Sequence, residues 1–248
     1  MERVHRPQKV SMPALAESSD VEEPGPRGLP AGVARHAFLG RLSSGLVHEL
    51  VQSAHSVSYP TGSLIETPSG AGLALIVSGA LRYYVSAADG RQLTVGYLGP
   101  GSVVGTLEVE TSSTIRLQVI TPTVLLHLRP ERVRTLIADR SELMHAFLEE
   151  AIHGLKHSFR VLAASAFMSV QARVARDIIE RARLSGPIRS GVHLAVTHQS
   201  LADASGSVRE VVARTLRKLS RDGVIATAGG GVTIVDPQAL TKLAGYVT

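Results

Sequence analysis

Within "VTHQSLADASGSVREVVARTLRKL", residues Val196–Leu219, three side chains have the types and spacing to hydrogen-bond the edges of DNA bases: Arg209, Glu210 and Arg214. On a helix they would occupy the N-terminal half of a polar face, with Val208, Val211, Val212, Leu216 and Leu219 near the inner face. An arginine can donate to guanine O6 and N7, and a glutamate can accept from cytosine N4. Thr197, His198 and Gln199 would open a preceding helix, where backbone N–H groups and short polar side chains can hold a phosphate. Ser207 and Lys218 complete the candidate positioning residues. Thr197 is the expected N-cap of the first helix, with Ser200 at N3, and Gly206 would end it in a left-handed conformation. Ser207 is expected to cap the second helix and form a capping box with Glu210. A packed helical pair with a solvated face would use the same residue types, so these residues alone leave both readings open.

Other chemistries have weaker support. The chain contains no cysteine, which excludes disulfides, thiolate zinc sites, cysteine-ligated clusters and cysteine nucleophiles. His153 and His157 are spaced i, i+4 as a metal pair would be, but no acidic residue joins them at suitable spacing, and no metal is expected. Gly229–Gly231 is followed by neither Gly-Lys-Ser/Thr nor a helix, so it reads as a turn rather than a phosphate loop. No nucleophile–base arrangement or carboxylate pair stands out, and no enzyme activity is expected. Four Phe, five Tyr and no Trp supply few surfaces for stacking on single-stranded nucleic acid.

The 248 residues are 44% hydrophobic and 19% charged, the balance of a globular protein with one large or two ordinary domains. No run approaches the roughly 18 apolar residues of a membrane span, and the start lacks the apolar core of a signal peptide. A cytoplasmic protein without membrane contact is expected. The chain carries 26 Lys and Arg against 21 Asp and Glu, and residues 170–248 hold 11 of the former against six of the latter. The whole formal excess of +5 therefore lies in the last third, the footprint expected for contact with a polyanion.

Several kinds of element must position these residues. Residues 1–32, including "EEPGPRGLP", show no sustained periodicity and are expected to form a disordered extension. Leu39, Leu42, Leu46 and Leu50 fall at helical spacing. Short apolar or alternating runs follow, separated by Gly, Pro and Asp89-Gly90, as in an antiparallel barrel or sandwich. Ser78-Gly79 and Pro100-Gly101 read as turns between strands. Beyond Pro130 the pattern is helical. Leu148, Leu155 and Leu162 recur every seven residues beside a row of Met144, Ala151, Ser158 and Ser165. This narrow seam suits pairing with a second copy, although an amphipathic helix lying on its own barrel is the other reading. "VIATAGGGVTIVD" reads as a hairpin wing appended to the helix pair.

The segment "THQSLADASGSVREVVARTLRKLSRDGVI" resembles the winged helix of the catabolite activator protein and fumarate–nitrate regulator family. The likeness extends through "SYPTGSLI", "LIVSGALRYYVSAADGRQLTVGYLGPGSVVG" and "AFMSVQARVARDII", and covers Phe38 to about Ile234. It implies an α+β protein: an N-terminal antiparallel β-barrel of cyclic-nucleotide-binding type, a dimerisation helix and a C-terminal winged helix-turn-helix. The corresponding boundaries are 1–32 for the extension, 33–138 for the barrel, 139–168 for the dimerisation helix and 169–248 for the DNA-binding domain. The resemblance implies a homodimer on a roughly palindromic duplex, with Arg209, Glu210 and Arg214 reading bases and RNA polymerase as a candidate partner. The seam expected from the heptad spacing, Met144, Leu148, Ala151, Leu155 and Leu162, would serve that homodimer.

The resemblance also exposes a departure. Nucleotide-binding members carry Gly-Glu and, some ten residues later, Arg-Ser or Arg-Thr to hold the ribose and cyclic phosphate. Here "GTLEVETSSTIRLQV" places Thr106 after Gly105, and the preferred register places Ser113 and Thr114 in the Arg-Ser/Thr positions. The other register makes Arg116 the phosphate ligand but requires a deletion in the next strand. Losing the buried pair to phosphate would cost about 2–4 kcal/mol, or roughly 30- to 1,000-fold in affinity. Ser158 falls where the family offers a hydroxyl to the base. The expectation is a DNA-binding regulator requiring no cofactor, with cyclic AMP binding weak or lost, or another effector in its place. The alternatives are a cyclic-nucleotide-binding module acting through protein interaction, or an effector-independent architectural DNA binder.

Overall fold

Two long strands organise the N-terminal half, because each pairs with different neighbours along its length. The computed structural model describes residues 8–9, 29, 33, 38–52, 54–65, 72–106 and 115–245. Among these, β1 (Gln8–Lys9), β2 (His55–Tyr59), β3 (Leu64–Ile65), β4 (Gly72–Ser86), β5 (Gln92–Leu98), β6 (Val103–Thr106) and β7 (Ile115–Leu128) form one sheet. The order is β1-β2-β7-β4-β5, with β3 also on β7 and β6 also on β4. The pairings of β1 with β2, β2 and β3 with β7, and β4 with β6 are antiparallel. The antiparallel architecture is the expected one, but among the described residues no pairing closes the path into a barrel.

Ser78-Gly79 is not the expected turn between strands; it lies inside the 15-residue β4. Gly79 has φ +87°, and a Cβ there would strike Pro122 O and the Thr123 side chain. Thr123 occupies this close approach, its buried hydroxyl accepting from Ala80 N at 3.1 Å and donating to Thr121 O at 2.7 Å. A side chain thus satisfies backbone groups where the strand bends. Pro100-Gly101 is a true turn, with Gly101 at φ +85° and its N–H on Ile76 O at 2.7 Å.

Most of the expected extension lies outside the described residues. Within it, Gln8 and Lys9 pair with Ser58 and Val57, and Leu29 is buried in the core. Both depart from an unstructured tail. Backbone pairing along β2 needs no hydrophobic pattern in the added strand, so periodicity carried no trace of it.

The chain forms two compact units: one comprises residues up to Arg82 together with Leu98–Lys156, the other Tyr83–Tyr97 and the residues from His157 onward. In the first, a 3-10 turn (Leu39–Arg41) and α1 (Ser44–Val51) bury Leu39, Leu46, Val47 and Leu50 with Leu73, Leu75 and Leu128. Helix α2 (Pro130–Asp139) starts with proline at its first turn, where a missing N–H costs least. It contributes Val133 and Leu136 to this core. Helix α3 (Ser141–Phe167) contributes Leu143 and Ala146.

In the second unit, α4 (Val170–Leu184), α5 (His198–Ser205), α6 (Arg209–Arg221) and α7 (Pro237–Leu243) surround a core containing Ile178, Ile179, Leu201, Val212, Leu216 and Leu240. A small sheet runs β8 (His193–Leu194), β10 (Gly231–Ile234), β9 (Ile225–Ala228). The division into units therefore cuts β4, β5 and α3, whereas the expected boundaries fell after residues 138 and 168.

Candidate nucleic-acid interface

Helix α5 begins at Thr197, whose hydroxyl accepts from Ser200 N at 3.0 Å, while Ser200 Oγ accepts from Thr197 N at 3.1 Å. Serine at N3 thus completes a capping box without the usual Glu or Gln. Helix α5 ends at Gly206 with φ +59°, and Ser207 N closes back onto Ala202 O at 3.0 Å. A left-handed residue followed by this 6→1 bond is a Schellman ending, favoured by glycine. Among the described residues a Cβ on Gly206 would meet only Leu93 Cδ1, at 3.4 Å, so the left-handed φ rather than crowding favours glycine there.

Helix α6 starts one residue later than expected. Ser207 does not cap α6: its N–H serves the end of α5, and the N-cap is Val208, with no side-chain cap bond. No capping box with Glu210 forms at the start of α6. Val208 also leaves the inner face proposed for it, because φ −110° and ψ 153° take it off the helical wheel and leave it 51% exposed. Val212, Leu216 and Leu219 are buried as the periodicity requires, and Val211 is half-buried.

This anchoring turns Arg209, Glu210 and Arg214 outward, all exposed, with Arg217, Lys218 and Arg221 exposed further along the helix. An early acidic residue and late basic residues also suit the helix dipole. Thr197, His198 and Gln199 are exposed at the start of α5, and Gln199 Nε2 donates to Asp203 at 2.7 Å. Ser207 is half-buried in the turn. Strands β9 and β10 form the expected wing, joined by Gly229 and Gly230 at φ +61° and +77°. Helix α7 had no counterpart in the periodicity reading; its signal was Asp236-Pro237, where Asp236 accepts from Gln238 N and Ala239 N at 2.9 Å.

Helix α4 carries a buried polar network that the sequence reading missed. Asp177 accepts from Tyr97 Oη at 2.5 Å through Oδ1 and from Arg181 Nε at 2.7 Å through Oδ2. The Arg181 guanidinium lies 5.1 Å from the Tyr97 ring centroid and also reaches Ser200 O at 3.4 Å. Burial works against the Arg181 charge, but Asp177 and Tyr97 outweigh it and hold its pKa above the ordinary guanidinium value. The i, i+4 spacing of Asp177 and Arg181 was visible in the sequence; Tyr97, eighty residues away, was not. Arg173 secures the same unit by donating to Ser205 O and Met168 O, both at 2.8 Å.

The positions expected for an effector are only partly described. Ser113 and Thr114 lie outside the described residues. Gly105 has φ +107° and pairs with Leu73, so close to Gly72 O that a Cβ would collide. Thr106 pairs with Gly72. Arg116 is exposed on β7, while Gln118 accepts from the buried Arg82 Nη1 at 3.3 Å. Ser158 is half-buried. His157 is hydrogen-bonded through Nε2 to Val95 O at 2.7 Å and packs near Tyr83, whereas His153 is exposed. Burial first, then the charge of Glu180, pushes the Tyr83 phenol up to about 12.

The seam positions Met144, Leu148, Leu155 and Leu162 are 49–62% exposed, and Ala151 is exposed beside them. Ile152, Phe159 and Phe167 extend the same apolar exposure. No described helix is long and apolar enough to cross a membrane.

Residues 172–243 match the Crp-like helix-turn-helix domain, and residues 57–140 match the cyclic nucleotide-binding domain. Fold and site together define a DNA-binding transcription regulator that carries a cyclic-nucleotide-binding domain. The chain belongs to the Crp–Fnr family. It is 27% identical over 223 residues to the CRP-like cAMP-activated global transcriptional regulator of Mycobacterium tuberculosis H37Rv, covering 86% of this chain and 98% of that protein. It is 28% identical over 207 residues to the CRP-like protein Clp of Xanthomonas euvesicatoria, covering 78% and 89%. The solved structure of the c-di-GMP responsive global regulator CLP of Xanthomonas campestris is 25% identical, with a TM-score of 0.67, covering 77% of this chain and 99% of that one. The Mycobacterium tuberculosis relative is described as a global transcriptional regulator and the Xanthomonas campestris structure as a global regulator.

Proposed function

We propose that the chain acts in the cytoplasm as a homodimer reading a roughly palindromic duplex, with α6 of each copy in a major groove. Arg209, Glu210 and Arg214 contact base edges, and Thr197, His198, Gln199, Ser207 and Lys218 position the phosphates. The observation that carries this reading is the division of α6. Val212, Leu216 and Leu219 are buried while the two arginines and Glu210 are exposed together in its N-terminal half.

Dimer formation is supported by α3, a helix of 27 residues, or about 40 Å, with an exposed apolar row. Burying such a row against its copy removes it from water. The functional division we propose is a cyclic-nucleotide-binding-like sheet domain at 33–138, a dimer helix at 139–168 and a DNA-binding domain at 169–248, with RNA polymerase as a further partner. Two relatives are described as cAMP-activated and c-di-GMP responsive, which supports a nucleotide as the class of effector. Thr106 in place of the family's Glu supports weak or absent cyclic AMP binding. Selection from a random duplex pool tests the proposal. Enriched sites with two inverted half-sites about one helical turn apart, near 10 bp, are expected. Enrichment without sequence preference, or of a single half-site, would contradict it.

A further inference from the structure

Val208 occupies a position its side chain does nothing to stabilise. The N-cap of α6 favours Ser, Thr, Asp or Asn, whose oxygens satisfy a free N–H. Valine offers no such bond, and none forms. It is also absent from the buried core of its unit and from the hydrophobic side chains packed against that core. Instead it is 51% exposed and directly precedes the exposed Arg209 and Glu210. An apolar branched side chain therefore stands at the leading end of the helix proposed to enter the groove.

The major groove offers one apolar feature on its base edges, the C5-methyl group of thymine. We infer that Val208 is a specificity-determining residue that contacts a thymine methyl beside the bases read by Arg209 and Glu210, once per half-site. The assignment rests on the proposed insertion of α6 into the major groove. Its chemistry complements the neighbours: Arg209 and Glu210 select hydrogen-bonding groups, and Val208 selects the methyl that distinguishes thymine on the same groove edge. A contact worth about one buried methyl group corresponds to roughly fourfold in affinity.

The experiment uses the full-length protein and a selected duplex site. Thymines are replaced one at a time by deoxyuridine, which removes only the methyl, and affinities are measured at fixed salt for wild type, Val208→Ser and Arg209→Ala. Val208→Ser introduces a favoured capping residue, and thermal melting checks that it remains folded. The expected result is one thymine per half-site where deoxyuridine weakens wild type about fourfold and leaves Val208→Ser unchanged. If Arg209→Ala relaxes base choice but no thymine shows an effect dependent on residue 208, the Val208 assignment is overturned while α6 remains the reading helix. If Arg209→Ala leaves base choice intact, the insertion of α6 falls, and the Val208 assignment with it.

Discussion

The Tyr97 hydroxyl donates a 2.5 Å hydrogen bond to Asp177, a carboxylate of α4 that also holds Arg181 at 2.7 Å. The Asp177 and Arg181 side chains are only 6% and 8% exposed. Removing one member of a buried pair leaves the other charge without compensation, at a cost of about 3–5 kcal/mol. Asp177→Ala is expected to destabilise the second unit by that amount, and Tyr97→Phe by about 1.5–3 kcal/mol. Replacing both charges, as Asp177→Leu with Arg181→Met, should recover much of the loss. Denaturant unfolding checks the series; a double variant no more stable than Asp177→Ala would contradict the pairing as its cause.

Base readers and phosphate contacts should separate in their response to sequence and salt. Arg209→Ala is expected to cost about 1–3 kcal/mol on a selected site and much less on random DNA. Lys218→Ala should weaken both alike and lower the salt slope of binding by about one. Titrations on the two DNAs over a range of salt distinguish these outcomes. Equal losses on both DNAs from Arg209→Ala would remove it from the base-reading set.

The exposed row on α3 predicts a change in assembly. Leu155 and Leu162 are 58% and 62% exposed in the single chain, so Leu155→Glu with Leu162→Glu has little folded core to disrupt. Charges facing each other across the seam should instead convert the proposed dimer to monomer, with sedimentation velocity as the readout. Palindromic DNA should then be bound more weakly than by wild type, because the two half-sites are no longer engaged as one linked event. An unchanged dimer would place the interface elsewhere.

A histidine pair predicts how stability of the first unit depends on pH. His127 stacks on His55 at 5.2 Å and lies 3.3 Å from Tyr59 Oη. Burial, and then the neighbouring His55, hold the His127 pKa below the ordinary 6.5. Between the folded value and 6.5 the unfolded chain binds more protons, so stability falls as pH drops through that window. His127→Gln should flatten this loss as pH falls through 6.5 and below, as followed by thermal melts. Equal pH dependence in wild type and variant would assign it to other groups.

Much of this organisation was legible where one local rule dominated. The core faces of α5 and α6 follow from helical spacing, and Gly206 from its left-handed turn. The wing follows from alternation around Gly229–Gly231. Local rules failed where two compatible signals competed. Ser207 looked like a cap, but the carbonyl that accepts from Val212 N, at 3.1 Å, is that of Val208, which makes Val208 the N-cap. At Gly79 a turn residue proved to be a bend inside a strand, since the decisive neighbour, Thr123, is remote in sequence. Tyr97 and Asp177 likewise meet only through the fold.

The most direct test of the central reading is affinity for a selected duplex site at fixed salt, with and without millimolar cyclic AMP. Selective binding that the nucleotide does not change is expected from the proposed alteration of the phosphate cassette at Thr106. An increase within the fivefold to 150-fold range of ordinary allosteric coupling, about 1–3 kcal/mol, would contradict that expectation and show that the cassette around Thr106 still operates.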